Sequence, residues 1–337
     1  MSDILLVNPP GQRKAIEISA PPHLGIAALT ASAEAAGYSV SVLDYGFARY
    51  DGSRLSEVLR AGRPKVIGVS VVSPALREVS AIASDVRRIA PDAALVLGGP
   101  HVSADSGILS ELSIDYGFAG EADRGFTRLC DHLIRGEGGL SGIPGLVYKN
   151  GGLWETNEQD YIENLDDLPD PLIGPRTLSA KGLVPVSTSR GCPFSCSYCA
   201  QGGGGKVRFR SPQRVVGEVA RLSRELKTRL FAFVDDVFTL DRGRTLELCR
   251  LLSEKTPAVR WSAITRADCV DRELLSAMKK AGCFHLSFGV ESGVEEIRYQ
   301  LGKKVSNEDY VSAFGWCRQL GIRSCAYAMY GNRKSVV

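Results

Sequence analysis

Three cysteines occupy the run Thr188-Ser189-Arg190-Gly191-Cys192-Pro193-Phe194-Ser195-Cys196-Ser197-Tyr198-Cys199, directly after the apolar segment Leu183–Ser187. This spacing puts three thiolates on one tight loop. Such a set holds three irons of a cubane cluster and leaves the fourth open to an exogenous ligand, which makes the site one for chemistry. A structural zinc site normally takes four ligands, often as two CxxC pairs. No second pair exists here, because Cys130, Cys249, Cys269, Cys283, Cys317 and Cys325 stand singly. A disulfide framework belongs to short secreted chains, and no apolar signal segment opens this one. The isolated cysteines read as small buried hydrophobes.

The elements that must position these thiolates follow from the apolar pattern. In the second half, Leu183–Ser187, Leu230–Val234, Val259–Ile264, His285–Val290 and Ile322–Met329 read as strands. Helical patterns cover Pro212–Leu226, Arg242–Glu254, Arg272–Ala281 and Asn307–Leu320 between them. Repeated strand-helix units suggest a barrel or partial barrel with its active face at the strand carboxyl ends. The cysteine loop leaves the first of those strands, so it belongs on that face. Gly202–Gly205 with Lys206 lacks the GxxxxGK[ST] pattern and reads as a flexible loop beside the cluster.

The first half alternates in the same way. Ile4–Val7, Val40–Leu43, Val66–Val72, Ala94–Leu97 and a segment around Tyr116 read as strands, with helices over Leu24–Ala36, Arg54–Arg60 and Leu76–Ala90 and a short one near Ile108. The expected fold is α/β: a doubly wound, Rossmann-like domain with a parallel sheet. Ligands bind such sheets beyond the strand carboxyl ends, where Asn8-Pro9-Pro10, Asp44-Tyr45-Gly46, Ser73-Pro74, Gly98-Gly99-Pro100-His101 and Gly120-Glu121 stand. Glycines there let a backbone approach a large flat ligand, or they make a tight turn. No GxGxxG follows the first strand, which argues against a dinucleotide. The Asn150-Gly151 pair marks a hairpin, and the acidic, proline-containing stretch 164–175 reads as a linker. The expected division is 1–135, a hairpin and linker over 136–178, and 179–337.

The run Pro22-His23-Leu24-Gly25-Ile26-Ala27-Ala28-Leu29, with Ala36-Gly37-Tyr38, Val42-Leu43-Asp44 and Gly98-Gly99-Pro100-His101, resembles the cobalamin-binding domain fused to radical SAM enzymes. The resemblance makes Asn8, Pro9, Pro10, Ser70, Ser73, Gly98, Gly99, Pro100, His101 and Glu121 candidate cobalamin contacts. No DxHxxG motif is present, so a base-off cobalamin without a histidine on cobalt is expected. The second half resembles the radical SAM superfamily through its three cysteines. That implies a 4Fe-4S cluster on Cys192, Cys196 and Cys199 that chelates S-adenosylmethionine and cleaves it reductively to a 5′-deoxyadenosyl radical. By the same resemblance Tyr198 borders the adenine, or is a packing residue; Asp235 and Asp236 meet the methionyl amine, and Glu291 and Ser292 meet the ribose; Arg266 meets the carboxylate, or makes a simple surface ion pair. Asp235-Asp236 stands where the superfamily commonly has a glycine-rich motif. Capping of the next helix is the other reading of that pair.

Lys plus Arg number 41 against 38 Asp plus Glu, a net charge of +3 with no basic block, which gives no indication of nucleic acid. No run approaches the roughly 20 apolar residues of a membrane span. A cytoplasmic enzyme acting on a small molecule is expected, with a flavodoxin- or ferredoxin-like electron donor implied by the resemblance. Methylation of an unactivated centre is the leading reaction; cyclisation, ring contraction or oxidation on the same cofactors is the alternative. The superfamily core has six strand-helix units and this chain stops after the fifth strand. The expectation is an incomplete barrel, either covered at its open edge by a partner or a shortened form, and a non-catalytic corrinoid and iron-sulfur binding protein is the alternative to an enzyme.

Overall fold

The computed structural model describes residues 2–10, 23–46, 48–174, 182–199 and 205–329. Gly202–Gly204 and Tyr330–Val337 lie outside them. The chain forms two compact units, Met1–Ile162 with Asp167–Gly182, and Glu163–Asp166 with Leu183–Val337.

In the first unit the strands β1 (Ile4–Asn8), β2 (Val40–Asp44), β3 (Val66–Ser70), β4 (Ala94–Gly98) and β5 (Tyr116–Phe118) are parallel. The helices α1 (Leu24–Ala35), α2 (Gly52–Gly62), α3 (Leu76–Ile89), α4 (Pro100–Ala104), α5 (Ile108–Glu111) and α6 (Asp123–Cys130) accompany them. The near-continuous apolar character of the strands has its cause in a core on each face. One gathers Leu5, Val7, Ile67, Val69, Leu95 and Leu97 with α2 and α3. The other gathers Ile4, Leu6, Val66 and Val96 with α1 and α6. Helix α6 was not delimited from sequence beyond a helical pattern around His132; eight residues are too few for a firm periodicity. The hairpin expected in the connection instead extends this sheet. Its strands β6 (Leu146–Asn150) and β7 (Leu153–Thr156) pair antiparallel onto β5, giving the order β2-β1-β3-β4-β5-β6-β7. The parallel part has the 2-1-3-4-5 order, whose topological switch point lies between β1 and β3.

The second unit is built on five parallel strands, β8 (Val184–Val186), β11 (Leu230–Phe233), β12 (Arg260–Thr265), β13 (Cys283–Glu291) and β14 (Arg323–Ala328), which neighbour one another in chain order. Two short strands, β9 (Ser189–Arg190) and β10 (Arg208–Phe209), pair antiparallel at the two ends of the cysteine loop. The helices are α7 (Pro212–Glu225), α8 (Arg242–Lys255), α9 (Arg272–Lys280), α10 (Glu295–Gln300) and α11 (Asn307–Leu320). Ser211, Asp241, Asp271 and Ser306 cap α7, α8, α9 and α11, so each strand-to-helix loop ends at a defined residue. Phe233, Phe238 and Trp261 pack together under the helices, with ring centroids 4.9–5.2 Å apart. The five strands match those expected, and among the described residues β14 pairs only with β13.

Candidate functional site

The strands of the second unit run in one direction, so the residues after β8, β11, β12 and at the end of β13 share one edge of the sheet. The cysteine loop, Asp235-Asp236, Arg266 and Glu291 are those residues. Cys192, Cys196 and Cys199 are half-buried and in no disulfide. The loop turns back tightly at its end, where the Cys199 amide donates to the Cys196 carbonyl at 3.0 Å. Among the described residues no three His, Cys, Asp or Glu side chains are grouped to hold a single metal ion. A cubane does not ask for that, because each thiolate bonds its own iron. Burial pushes the Cys192 thiol up, and Asp236 and Cys199 nearby add to this.

The two adjacent aspartates differ in circumstance. Asp235 is buried, and its Oδ1 accepts from the backbone amides of Thr188 at 2.7 Å and Ser189 at 2.6 Å. Its Oδ2 accepts from the Thr188 hydroxyl at 2.8 Å. Burial pushes this carboxyl up even against those bonds and the nearby Arg244. Asp235 is therefore committed to the turn that leads into the cysteine loop, a task different from the amine contact the resemblance implied. It does not cap α8 either, since Asp241 does. Asp236 is exposed and has no hydrogen-bond partner among the described residues, while the surrounding protein strips enough water to push its carboxyl up.

Arg266 makes an ion pair, its other expected reading, although a buried one. Its guanidinium is buried, donates from Nε and Nη2 to Asp268 at 3.0 and 2.8 Å, and lies 3.6 Å over the Phe194 ring of the cysteine loop. The planar fork that could grip a ligand carboxylate already grips Asp268. Asp268 was not singled out from sequence, although an Arg-x-Asp spacing in a strand-to-helix loop is a signal for such a local pair. Glu291 sits at a register shift between β13 and β14 and adopts φ +64°, a left-handed conformation uncommon for a residue with a side chain. Its Oε1 is 3.0 Å from the Lys303 ammonium. Burial, followed by the nearby Glu291 and Cys196, raises the Tyr198 phenol far above its usual range. Ser292 accepts from the Val294 amide at 3.1 Å.

In the first unit the switch point places Asn8, Pro9 and Pro10 after β1 beside Ser70 and Ser73 at and after β3. Asn8 donates to Asp44 at 2.8 Å. Gly98 and Gly99 cross the β3 loop closely: the Val71 amide donates to Gly98 at 2.7 Å and the His101 amide to Val71 at 3.1 Å. Gly99 has φ +105°, and a Cβ there would stand 2.9 Å from the Val71 carbonyl oxygen. The close approach that demands this glycine is thus to its own chain, the turn reading of Gly98-Gly99. Pro100 opens α4 and is exposed; the Glu121 carbonyl accepts from Gln159. His101 Nδ1 meets the Ser73 hydroxyl at 2.9 Å. His23 caps α1: its Nδ1 accepts from the Ile26 amide at 3.1 Å, which leaves the proton on Nε2 to donate to the Ser70 hydroxyl at 3.0 Å. Both nitrogens of this half-buried ring are engaged, and desolvation pushes its pKa down.

Comparison with known proteins agrees with both units. The B12 binding domain model matches residues 19–130, and the radical SAM superfamily model matches 186–334. The chain thus joins a B12-binding domain to a radical SAM domain. It belongs to the B12-binding-domain-containing radical SAM enzymes. An uncharacterized methyltransferase of Pyrococcus horikoshii is 29% identical over 97% of this chain and 74% of its own length. The anaerobic magnesium-protoporphyrin IX monomethyl ester cyclase of Rubrivivax gelatinosus is 25% identical over 92% of this chain and 59% of its own. The solved structure of the radical S-adenosylmethionine methyltransferase TsrM from Kitasatospora setae, with cobalamin and a [4Fe-4S] cluster bound, shares the fold. Its TM-score is 0.81 at 21% identity, over 98% of this chain and 67% of that one. The chain spans about three quarters of the first of these two curated relatives and about three fifths of the second. Among the described residues no helix is long and apolar enough to cross a membrane.

Proposed function

We propose that the chain is a cobalamin-dependent radical SAM enzyme that methylates an unactivated centre of a small molecule. The observation that carries the reading is one edge of a parallel sheet presenting three half-buried thiols together with the exposed carboxylate of Asp236 and the strained Glu291. Cys192, Cys196 and Cys199 would hold a 4Fe-4S cluster, and the strand-end loops at Asn8–Pro10, Ser70–Ser73 and Gly98–His101 would hold cobalamin. When bound, the cluster supplies the electron that cleaves S-adenosylmethionine and the corrinoid carries the methyl group.

The protein's own residues bind and orient. Asp236 is exposed, with an unspent, partly desolvated carboxylate suited to an ammonium. Glu291 and Ser292 offer acceptors to a ribose, and Tyr198 borders the same space. Asp235 and Arg266 act behind them, holding the start and the middle of the cysteine loop through Thr188, Ser189 and Phe194. In the first unit His23 has no free lone pair for cobalt, which supports the base-off expectation. A cluster of this kind calls for a small electron-donor protein and suits a reducing cytoplasm.

The test is anaerobic reconstitution followed by product analysis. Wild-type protein should yield 5′-deoxyadenosine from S-adenosylmethionine, and S-adenosylhomocysteine should accompany it during methylation. The cyclase relative makes turnover without S-adenosylhomocysteine the outcome that would favour a cyclisation. Alanine at Cys192, Cys196 and Cys199 should abolish iron uptake; full iron retention refutes the ligand assignment.

A further inference from the structure

The turn after α10 carries no role so far, yet it touches two parts of the site at once. Gly302 has φ +77°, and a Cβ there would stand 2.8 Å from the Ser195 carbonyl oxygen. The preceding Leu301 carbonyl accepts from the Ser197 amide at 2.9 Å. The following residue, Lys303, is buried against Glu291, with only 7% of its side chain and 13% of Glu291's exposed. Gly289 makes the space for this pair: a Cβ there would lie 2.5 Å from Lys303 Nζ and 2.6 Å from Glu291 Oε1. Arg298, fully buried, anchors the segment by donating to the carbonyls of Ser292 at 2.6 Å and Val305 at 3.1 Å and to Asn307 Oδ1 at 2.6 Å. A buried ammonium is costly unless paired. A left-handed glutamate adds a backbone cost of its own, and strain of this kind collects at functional sites. Both costs here converge on one carboxylate.

We propose that Lys303 is a positioning residue of the cofactor site. Its ammonium holds the Glu291 carboxylate in place, while the turn that carries it clamps the cysteine loop at Ser195–Ser197. One three-residue segment thereby sets the carboxylate and the thiols relative to each other. The cofactor half of this inference rests on the reading that Glu291 accepts from S-adenosylmethionine; the clamp does not.

The test compares Lys303→Met, which keeps length without charge, with Lys303→Arg and wild type, in two measurements. In the apoprotein, hydrogen exchange of the Ser197 amide should speed up about tenfold or more in Lys303→Met, as expected when one partner of a buried pair is removed. In the reconstituted protein, S-adenosylmethionine affinity, read from the change it makes in the reduced cluster's electron paramagnetic resonance spectrum, should fall about tenfold or more at unchanged iron content. Lys303→Arg should recover most of both. If Lys303→Met does not fold, Lys303→Gln carries the same expectations. Wild-type exchange at Ser197 overturns the clamp, and wild-type affinity, or an arginine variant no better than methionine, overturns the positioning of Glu291. A wild-type protein that takes up no cluster would instead count against the functional reading, with the exchange measurement still deciding the clamp.

Discussion

Replacing Asp235 by alanine should damage the fold far more than replacing Asp236, although the two stand side by side in sequence. Asp235→Ala removes the acceptor for the buried amides of Thr188 and Ser189. Each orphaned amide costs about 1–3 kcal/mol, so the pair predicts a loss of about 4 kcal/mol. Asp235→Asn should cost no more than about 1.5 kcal/mol. The asparagine carbonyl can keep both amides, its NH₂ can donate to the Thr188 hydroxyl, and loss of a charge that burial disfavours offsets part of the change. Asp236→Asn should leave stability within about 0.5 kcal/mol and weaken S-adenosylmethionine binding. The assay is urea unfolding followed by fluorescence in a Trp154→Phe background, where Trp261 and Trp316 report the second unit alone. An alanine variant at Asp235 within about 1 kcal/mol of wild type, or one less harmful than alanine at Asp236, would refute the reasoning.

Two substitutions probe the first unit. Gly99→Ala meets both the Val71 backbone and a φ of +105°, so it should destabilise by about 2 kcal/mol or more and lower cobalamin uptake, whereas Gly98→Ala, whose nearest contact is 3.9 Å away, should be tolerated in thermal unfolding. Equal effects at the two positions would contradict the turn geometry. His23→Ala should cost about 1 kcal/mol through the lost cap. Because burial lowers the folded pKa of His23 below its unfolded value near 6.5, its contribution is full above about pH 6.5 and fades as pH falls toward the folded value. The variant should therefore show a shallower loss of stability between about pH 6.5 and 5; an unchanged slope means that His23 is not the group responsible.

The sequence by itself determined the fold class, the places of nearly all regular elements and the three cysteines proposed as cluster ligands. Strand and helix periodicities are local, and CxxxCxxC needs no distant partner to be read. The parallel alternation also located the candidate ligand edge of the second sheet, since direction alone puts the loops after β8, β11 and β12 together. Which polar side chains on that edge remain available was decided only in three dimensions. Asp235 and Asp236 are chemically identical in sequence, and the strand exit turns one carboxylate onto Thr188 and Ser189 and leaves the other exposed. Arg266 was legible as a strand-end arginine, but its engagement by Asp268 and its stacking on Phe194 depend on how a loop more than 60 positions earlier in the chain packs against it. Lys303 had no signature at all. It lies in an unpatterned turn, and only the fold's closure brings its ammonium to Glu291 and its backbone to the cysteine loop. Local pattern fixes which residues reach an edge; the pairing of buried charges and amides, which must be satisfied wherever water is excluded, fixes which of them stay free for a ligand.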